Sequence, residues 1–286
     1  MAERTVAVIT DSVCGLDPLA AAHYGVYLLP VRVTTAAGTF DDGVQVSAVE
    51  AIAAIDRGEN VSTAEPTIEL MAQAYRECAE AGASAVVSVH VSGSLSKTVE
   101  VARAAAVNSP IPVTIVDTRT TSMGQGFAAL AAGAVSLGGG DADQVASVAA
   151  RVAQTSRVFF TVDTLEYMRR GGRISGVVAA FGTLLQMRPV MSLHDGQVEP
   201  IARVRKTSKA REEVQARVVD YAASLRRPVG AVGLVGADAV AEGLSVDVGG
   251  PLLTTNPPTS LAIHTGPGMY TACVADMPDE FFTYSA

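Results

Sequence analysis

The feature that most constrains this chain is an alternation running through its first half. Short apolar, β-branched runs at "TVAVIT" (5–10), "VYLLPVRV" (26–33), "AVVSVHV" (85–91) and "PVTIV" (112–116) are separated by longer helical patterns. Mainly apolar, β-branched runs are what strands buried on both faces require. The helical patterns between them are "LDPLAAAHY" with its early proline, "SAVEAIAAIDRG", "TIELMAQAYRECAEAG", "SKTVEVARAAAV" and "GFAALAAGAVSL". Such alternation predicts an α/β domain built on a mainly parallel sheet. Ligands of these sheets collect beyond the carboxyl ends of the strands. That rule sets "TDS" (10–12), "HVSGSLSKT" (90–98) and "VDTRTTS" (116–122) along one rim.

After the helical run "ADQVASVAARVAQTS" the texture changes. That run leads into "RVFFTVDT", and strand-like runs follow at "RPVMSLHDG", "GQVEPIARVR", "VGAVGLVG", "TSLAIHTG" and "TACVAD", with one long amphipathic helix, "SKAREEVQARVVDYAASLRR", among them. "HDGQ" (194–197) reads as a hairpin turn, because Asp-Gly readily takes positive φ. The expectation is two domains: residues 1–155 as a mainly parallel α/β unit, and residues 156–286 as an α+β unit with a mixed sheet.

Composition narrows the function classes. Lys plus Arg total 21 against 29 Asp plus Glu, a net charge of −8, which argues against nucleic acid as a partner. Trp is absent and Phe plus Tyr total only 14, so base-stacking platforms are not expected. Cys14, Cys78 and Cys273 are far apart and odd in number, which implies neither a disulfide framework nor a zinc site. The four histidines are scattered, and no metal or cofactor is expected. No signal-like N-terminus appears, and the most apolar runs fall short of the roughly 18–20 residues of a spanning helix. The expectation is a cytoplasmic protein with no integral membrane segment, free to touch a membrane transiently.

Four stretches could carry chemistry. "MRRGGRISG" (168–176) reads two ways: as a helix C-terminus capped by glycines, or as a cationic fork at Arg173 held behind a turn that a ligand approaches closely. "HTGPGM" (264–269) sets His264 at the end of the predicted strand "TSLAI", before a rigid turn. "VSGSLSKT" (91–98) carries hydroxyls before a helix N-terminus, where an anion is favoured, though Ser96 and Thr98 also suit N-caps. "VSTAEPT" (61–67) offers a further hydroxyl group before a helix. None is a nucleophile elbow or a Walker loop.

In this order, "TDS", "LLPVRV…GTFDDG", "STAEPT", "VSGSLSKT", "VDTRTTSMGQG", "VDTLEYMRRGGRIS", "GTLLQMRPV", "DGQVEPIARVR" and "IHTGPG" resemble the DegV family, which includes the fatty-acid-binding subunits of bacterial fatty acid kinase. The resemblance implies a two-domain fold with a fatty acid's tail buried between the domains. It implies a Thr–Ser–His network around the carboxylate, falling on Thr63, Ser96 and His264. It also implies an acyl-phosphate contact at Arg173 and a docking arginine for an ATP-dependent kinase partner at Arg205, with Arg203 as the alternative. The chain would then be a lipid-binding subunit and not itself an enzyme.

Two positions depart from the family pattern: Glu65 stands where the family has glutamine, and Lys97 where it has glycine. The small-residue runs "VVAAFGTLLQM" and "GFAALAAGAVSL" are read either as tunnel walls or as ordinary core. Two other readings stay open: a carrier or sensor of another amphipathic anion, and a hydrolase using Ser96 and His264 with Asp117 orienting the base.

Overall fold

The computed structural model describes residues 5–173, 187–236 and 244–284. The run "VVAAFGTLLQM" (177–187), read above as a tunnel wall, lies outside the described residues except for Met187. The first-half alternation folds into a four-stranded, all-parallel sheet of order β2-β1-β6-β7, from β1 (Val6–Asp11), β2 (Val26–Leu29), β6 (Ala85–His90) and β7 (Val113–Asp117). The predicted strand 26–33 does not run through. Pro30 lacks the N–H a central strand needs, and the chain breaks there into β2 and β3 (Arg32–Thr35). β3 joins β4 (Gly38–Asp41) and β5 (Ser62–Ala64) in a separate antiparallel sheet of order β4-β3-β5.

The second half forms a six-stranded mixed sheet of order β10-β9-β8-β13-β11-β12. Its strands are β8 (Arg157–Thr161), β9 (Arg188–His194), β10 (Gln197–Val204), β11 (Pro228–Leu234), β12 (Leu252–Thr255) and β13 (Tyr270–Asp276). Only β11–β12 pairs in parallel; the other pairs are antiparallel. The β9–β10 hairpin turns at Asp195 (φ 49°) and Gly196 (φ 81°), as Asp-Gly foretells.

Helices fill the layers around these sheets. α3 (Ile68–Glu80) and α4 (Thr98–Ala106) cover one face of the parallel sheet, where Met71, Tyr75 and Ala102 pack on Ile9, Leu29 and Val86. α5 (Ser122–Leu137) and α6 (Ala142–Thr155) lie between the two large sheets, sharing one core with Val8 and Val89 on one side and Val158, Ala231 and Cys273 on the other. α8 (Thr207–Ala222) closes the far face of the mixed sheet. The smaller helices are α1 (Pro18–His23), α2 (Ala48–Asp56), α7 (Glu166–Arg170), α9 (Thr259–Thr265) and α10 (Asp279–Tyr284).

"GFAALAAGAVSL" is therefore core. All of α5 except Val135 and Leu137 is buried, and its small side chains let both sheets approach one helix. At Gly133 the helix comes up against backbone. A Cβ there would lie 2.4 Å from the Tyr24 carbonyl oxygen and 2.9 Å from Val26 Cγ2. Helix propensity alone would make Gly133→Ala stabilising by up to about 1 kcal/mol. Overpacking against backbone should outweigh it, at about 1–3 kcal/mol. The expected outcome is a lower thermal midpoint for Gly133→Ala; a raised midpoint would show that the helix has room.

Candidate functional site

The three crossover loops at the carboxyl end of the parallel sheet come together as the strand-end rule anticipates. Val13 after β1, Val91, Leu95 and Ser96 after β6, and Thr121 and Ser122 after β7 line one wall of a cavity that opens to solvent. The mixed sheet supplies the opposite wall through Val158, Phe160, Leu193, Val198 and Thr271. β5 and α9 close one end with Thr63, Glu65, Leu261 and His264, and Arg173 joins them from the turn after α7. Among the described residues lining the cavity, Glu65, Arg173 and His264 carry the ionisable groups.

His264 is not at a strand end. Pro258, extended at φ −62° and ψ 156°, starts helix α9 where a strand was expected, and Gly266 (φ 78°) ends it, so His264 sits in the last turn. A preset proline φ at a helix start overrides the β-branched content that follows. α9 is tied to the first half by Asp42, which sequence reading did not single out. Asp42 accepts from the Ser260 N–H at 3.0 Å, the Ser260 hydroxyl at 2.6 Å and the Ser12 hydroxyl at 2.9 Å. Burial pushes its carboxyl upward against the pull of those hydrogen bonds. Ser12 and Asp42 lie within the quoted "TDS" and "GTFDDG", but only the fold brings residues 12, 42 and 260 together.

Thr63 Oγ1 and His264 Nε2 lie 2.8 Å apart. The other ring nitrogen, Nδ1, is buried with no hydrogen-bond partner and presses on Gly171, where a Cβ would come within 2.2 Å of it. A proton on Nδ1 would be a stranded donor. The tautomer that satisfies the ring carries it on Nε2 and donates to Thr63, which frees the Thr63 hydroxyl proton to point elsewhere. Burial, and then the Arg173 cation, push His264 down to about 4. At neutral pH it is uncharged.

Ser96 stands in the same cavity but is not part of the Thr63–His264 pair. Its hydroxyl donates to Glu65 Oε1 at 3.3 Å and lies 2.9 Å from Thr98 Oγ1, and it accepts from the Thr98 N–H at 3.3 Å. The network implied by the resemblance is thus divided in two. Glu65 Oε1 also accepts from the Lys97 N–H at 3.0 Å. Burial pushes Glu65 up, but backbone N–H groups, the Ser96 hydroxyl and the Arg173 charge outweigh it and hold the carboxyl below its usual range. Lys97 has φ −85°, so no glycine-only conformation is needed there.

"MRRGGR" is a helix end, as one of its two readings has it, and Arg173 lines the cavity just beyond it. Arg169 and Arg170 bond Glu166 on their own helix, α7 ends at Gly171, and Gly172 takes φ 71°. Arg173 then leaves the turn toward the cavity, its guanidinium donating to the Gly171 carbonyl at 2.5 Å and the Leu95 carbonyl at 3.4 Å. The hydrolase arrangement is not assembled: His264 meets Thr63 and not Ser96, while Asp117 accepts from the Gly93 and Arg119 N–H groups. Arg205 is exposed between β10 and α8, beside Lys206 and Lys209 and away from this cavity. No helix among the described residues is long and apolar enough to cross a membrane.

Comparison with known proteins agrees with this architecture. The family described as "uncharacterised protein, DegV family" matches residues 5–276. A DegV domain-containing protein of Streptomyces coelicolor is 35% identical over 271 residues, which cover 93% of this chain and 96% of that protein. A DegV family protein from Thermus thermophilus, whose structure is described as fatty acid binding, superposes with a TM-score of 0.86 at 33% identity, covering 96% of this chain and 100% of that one. DegV from Bacillus subtilis, described as a fatty acid binding protein, superposes with a TM-score of 0.85 at 23% identity over 96% of this chain and 100% of that one, a likeness of fold. With a match spanning nearly its whole length, this chain belongs to the DegV family.

Proposed function

We propose that this protein binds one long-chain fatty acid, its tail in the cavity between the two large sheets and its carboxyl at Thr63 and His264. The observation that carries the reading is the cavity's polarity: aliphatic and aromatic carbon along its walls, and ionisable groups gathered where Thr63, Glu65, Arg173 and His264 meet. The fatty acid binding described for the Thermus thermophilus relative supports it. Burying about 14 methylenes at roughly 0.8 kcal/mol each supplies about 11 kcal/mol before association costs. The tail provides the affinity, and the head group needs only orientation. A Thr63 hydroxyl whose oxygen is occupied by a neutral imidazole does that without adding charge.

The chain carries no nucleotide-binding fingerprint, so the reading continues with a separate, cytoplasmic ATP-dependent kinase to which the carboxyl is presented for conversion to an acyl phosphate. Arg173, beside the head group, would meet the charge that develops there. Arg205 and its neighbouring lysines would offer the kinase a cationic docking face.

Native mass spectrometry of the purified protein should show about one fatty acid per chain. An empty protein that also fails to take up palmitate or oleate would contradict the reading. Thr63→Ala should lower the stability of the lipid-loaded form by about 1–3 kcal/mol, because the His264 Nε2 donor loses its partner.

A pH series tests the neutral imidazole. The folded-state value of His264 lies below that of the unfolded chain, so between about 6.5 and about 4 the unfolded state binds the extra proton. Stability of the lipid-free protein should therefore fall as pH drops through that window, and His264→Gln should remove this component. An unchanged slope in His264→Gln would show that other groups set it.

Arg173→Ala should keep palmitate affinity within a few-fold yet lose most acyl phosphate formation with a cognate kinase and ATP. A pure helix-end role predicts undiminished product.

A further inference from the structure

Glu65 occupies the place where a ligand's anion would look for donors. Ser96 has one hydroxyl proton, and it is given to Glu65 Oε1; the Lys97 N–H is given to the same atom. What remains at this end is the Thr63 hydroxyl and the Arg173 guanidinium, two of whose nitrogens already donate to backbone carbonyls. The charges that face Glu65 can be named element by element. The turn after α7 brings Arg173, the start of α4 brings Lys97 (its N-cap) and Glu100 along the adjoining outer groove, and α9 brings His264, uncharged at neutral pH. Within the cavity itself, one carboxylate and one guanidinium balance before any ligand arrives. A second, ionised carboxylate would enter beside Glu65 with neither a spare cation nor its full set of donors. Two carboxyl groups forced together resolve the repulsion by holding one proton between them.

We propose that Glu65 couples ligand binding to proton uptake: the fatty acid's carboxyl and the Glu65 carboxyl share one proton in the complex, so the site selects a singly protonated pair and disfavours a permanently anionic head. The proton comes from solvent, and no bond other than those to that proton changes. Glutamine at this position, the residue of the family pattern, would accept the same Ser96 and Lys97 hydrogen bonds through its carbonyl oxygen and carry no charge to balance.

This inference rests on the fatty-acid reading above, and its test separates the two. Palmitic acid and 1-hexadecanol are titrated into wild type and Glu65→Gln between pH 6 and pH 8. The quantity read is the ratio of palmitate affinities, variant over wild type, in which the ligand's own ionisation cancels. With one proton taken up by wild type and none through Glu65 in the variant, the ratio should rise about tenfold per pH unit. Calorimetry of wild type in two buffers of different ionisation enthalpy should show uptake of about one proton per palmitate, a reading that stands even if the variant does not fold. 1-Hexadecanol should bind both proteins without pH dependence. A constant ratio, or palmitate binding with no proton uptake, overturns the inference and leaves fatty acid binding intact. Failure of both probes to bind folded protein overturns the fatty-acid reading, and this inference with it.

Discussion

Two sheets share one layer of helices, and the position of the cavity depends on where that layer stops. α5 is buried along nearly its whole length because its alanines and glycines let the parallel sheet and the mixed sheet close on it together. Beyond its first residue, Ser122, no helix in that layer continues between the sheets among the described residues. The space is left to loops on one side and to Val158, Phe160 and Leu193 on the other. The walls there are mostly carbon, so under the proposed function an apolar chain would occupy the space without costing hydrogen bonds.

The mouth obeys a different constraint: polar groups leaving water must be paired or left neutral. His264 meets it by losing its charge, Thr63 by bonding the imidazole, and Glu65 by collecting Ser96 and Lys97. Arg173 stays at the exposed rim, where its charge keeps its hydration while still acting on both Glu65 and His264. Asp42 holds the arrangement from behind by fixing the start of α9.

Much of the fold was legible because its signals are local. The parallel strands and the Asp195–Gly196 hairpin each follow from a few adjacent residues. The errors fell where one residue overrode the pattern around it: Pro30 broke a strand in two, and Pro258 turned a β-rich run into a helix. The site was only partly legible. Strand-end logic located its loops, and the resemblance located four side chains that do line one cavity. Which of them bond each other could not be read, because Thr63 and His264 are 201 positions apart and Ser96 had a nearer partner in Glu65. The partners of Asp42 were hidden for the same reason.

The central claim is that the space beyond α5 holds an aliphatic chain with its carboxyl at Thr63. A crystal structure of the protein with bound palmitate tests it most directly. The account predicts continuous density running between Val158 and Val91 and ending with a carboxyl oxygen within hydrogen-bond reach of Thr63 Oγ1. Palmitate found with its carboxyl elsewhere, or a cavity left empty at saturating ligand, would contradict it.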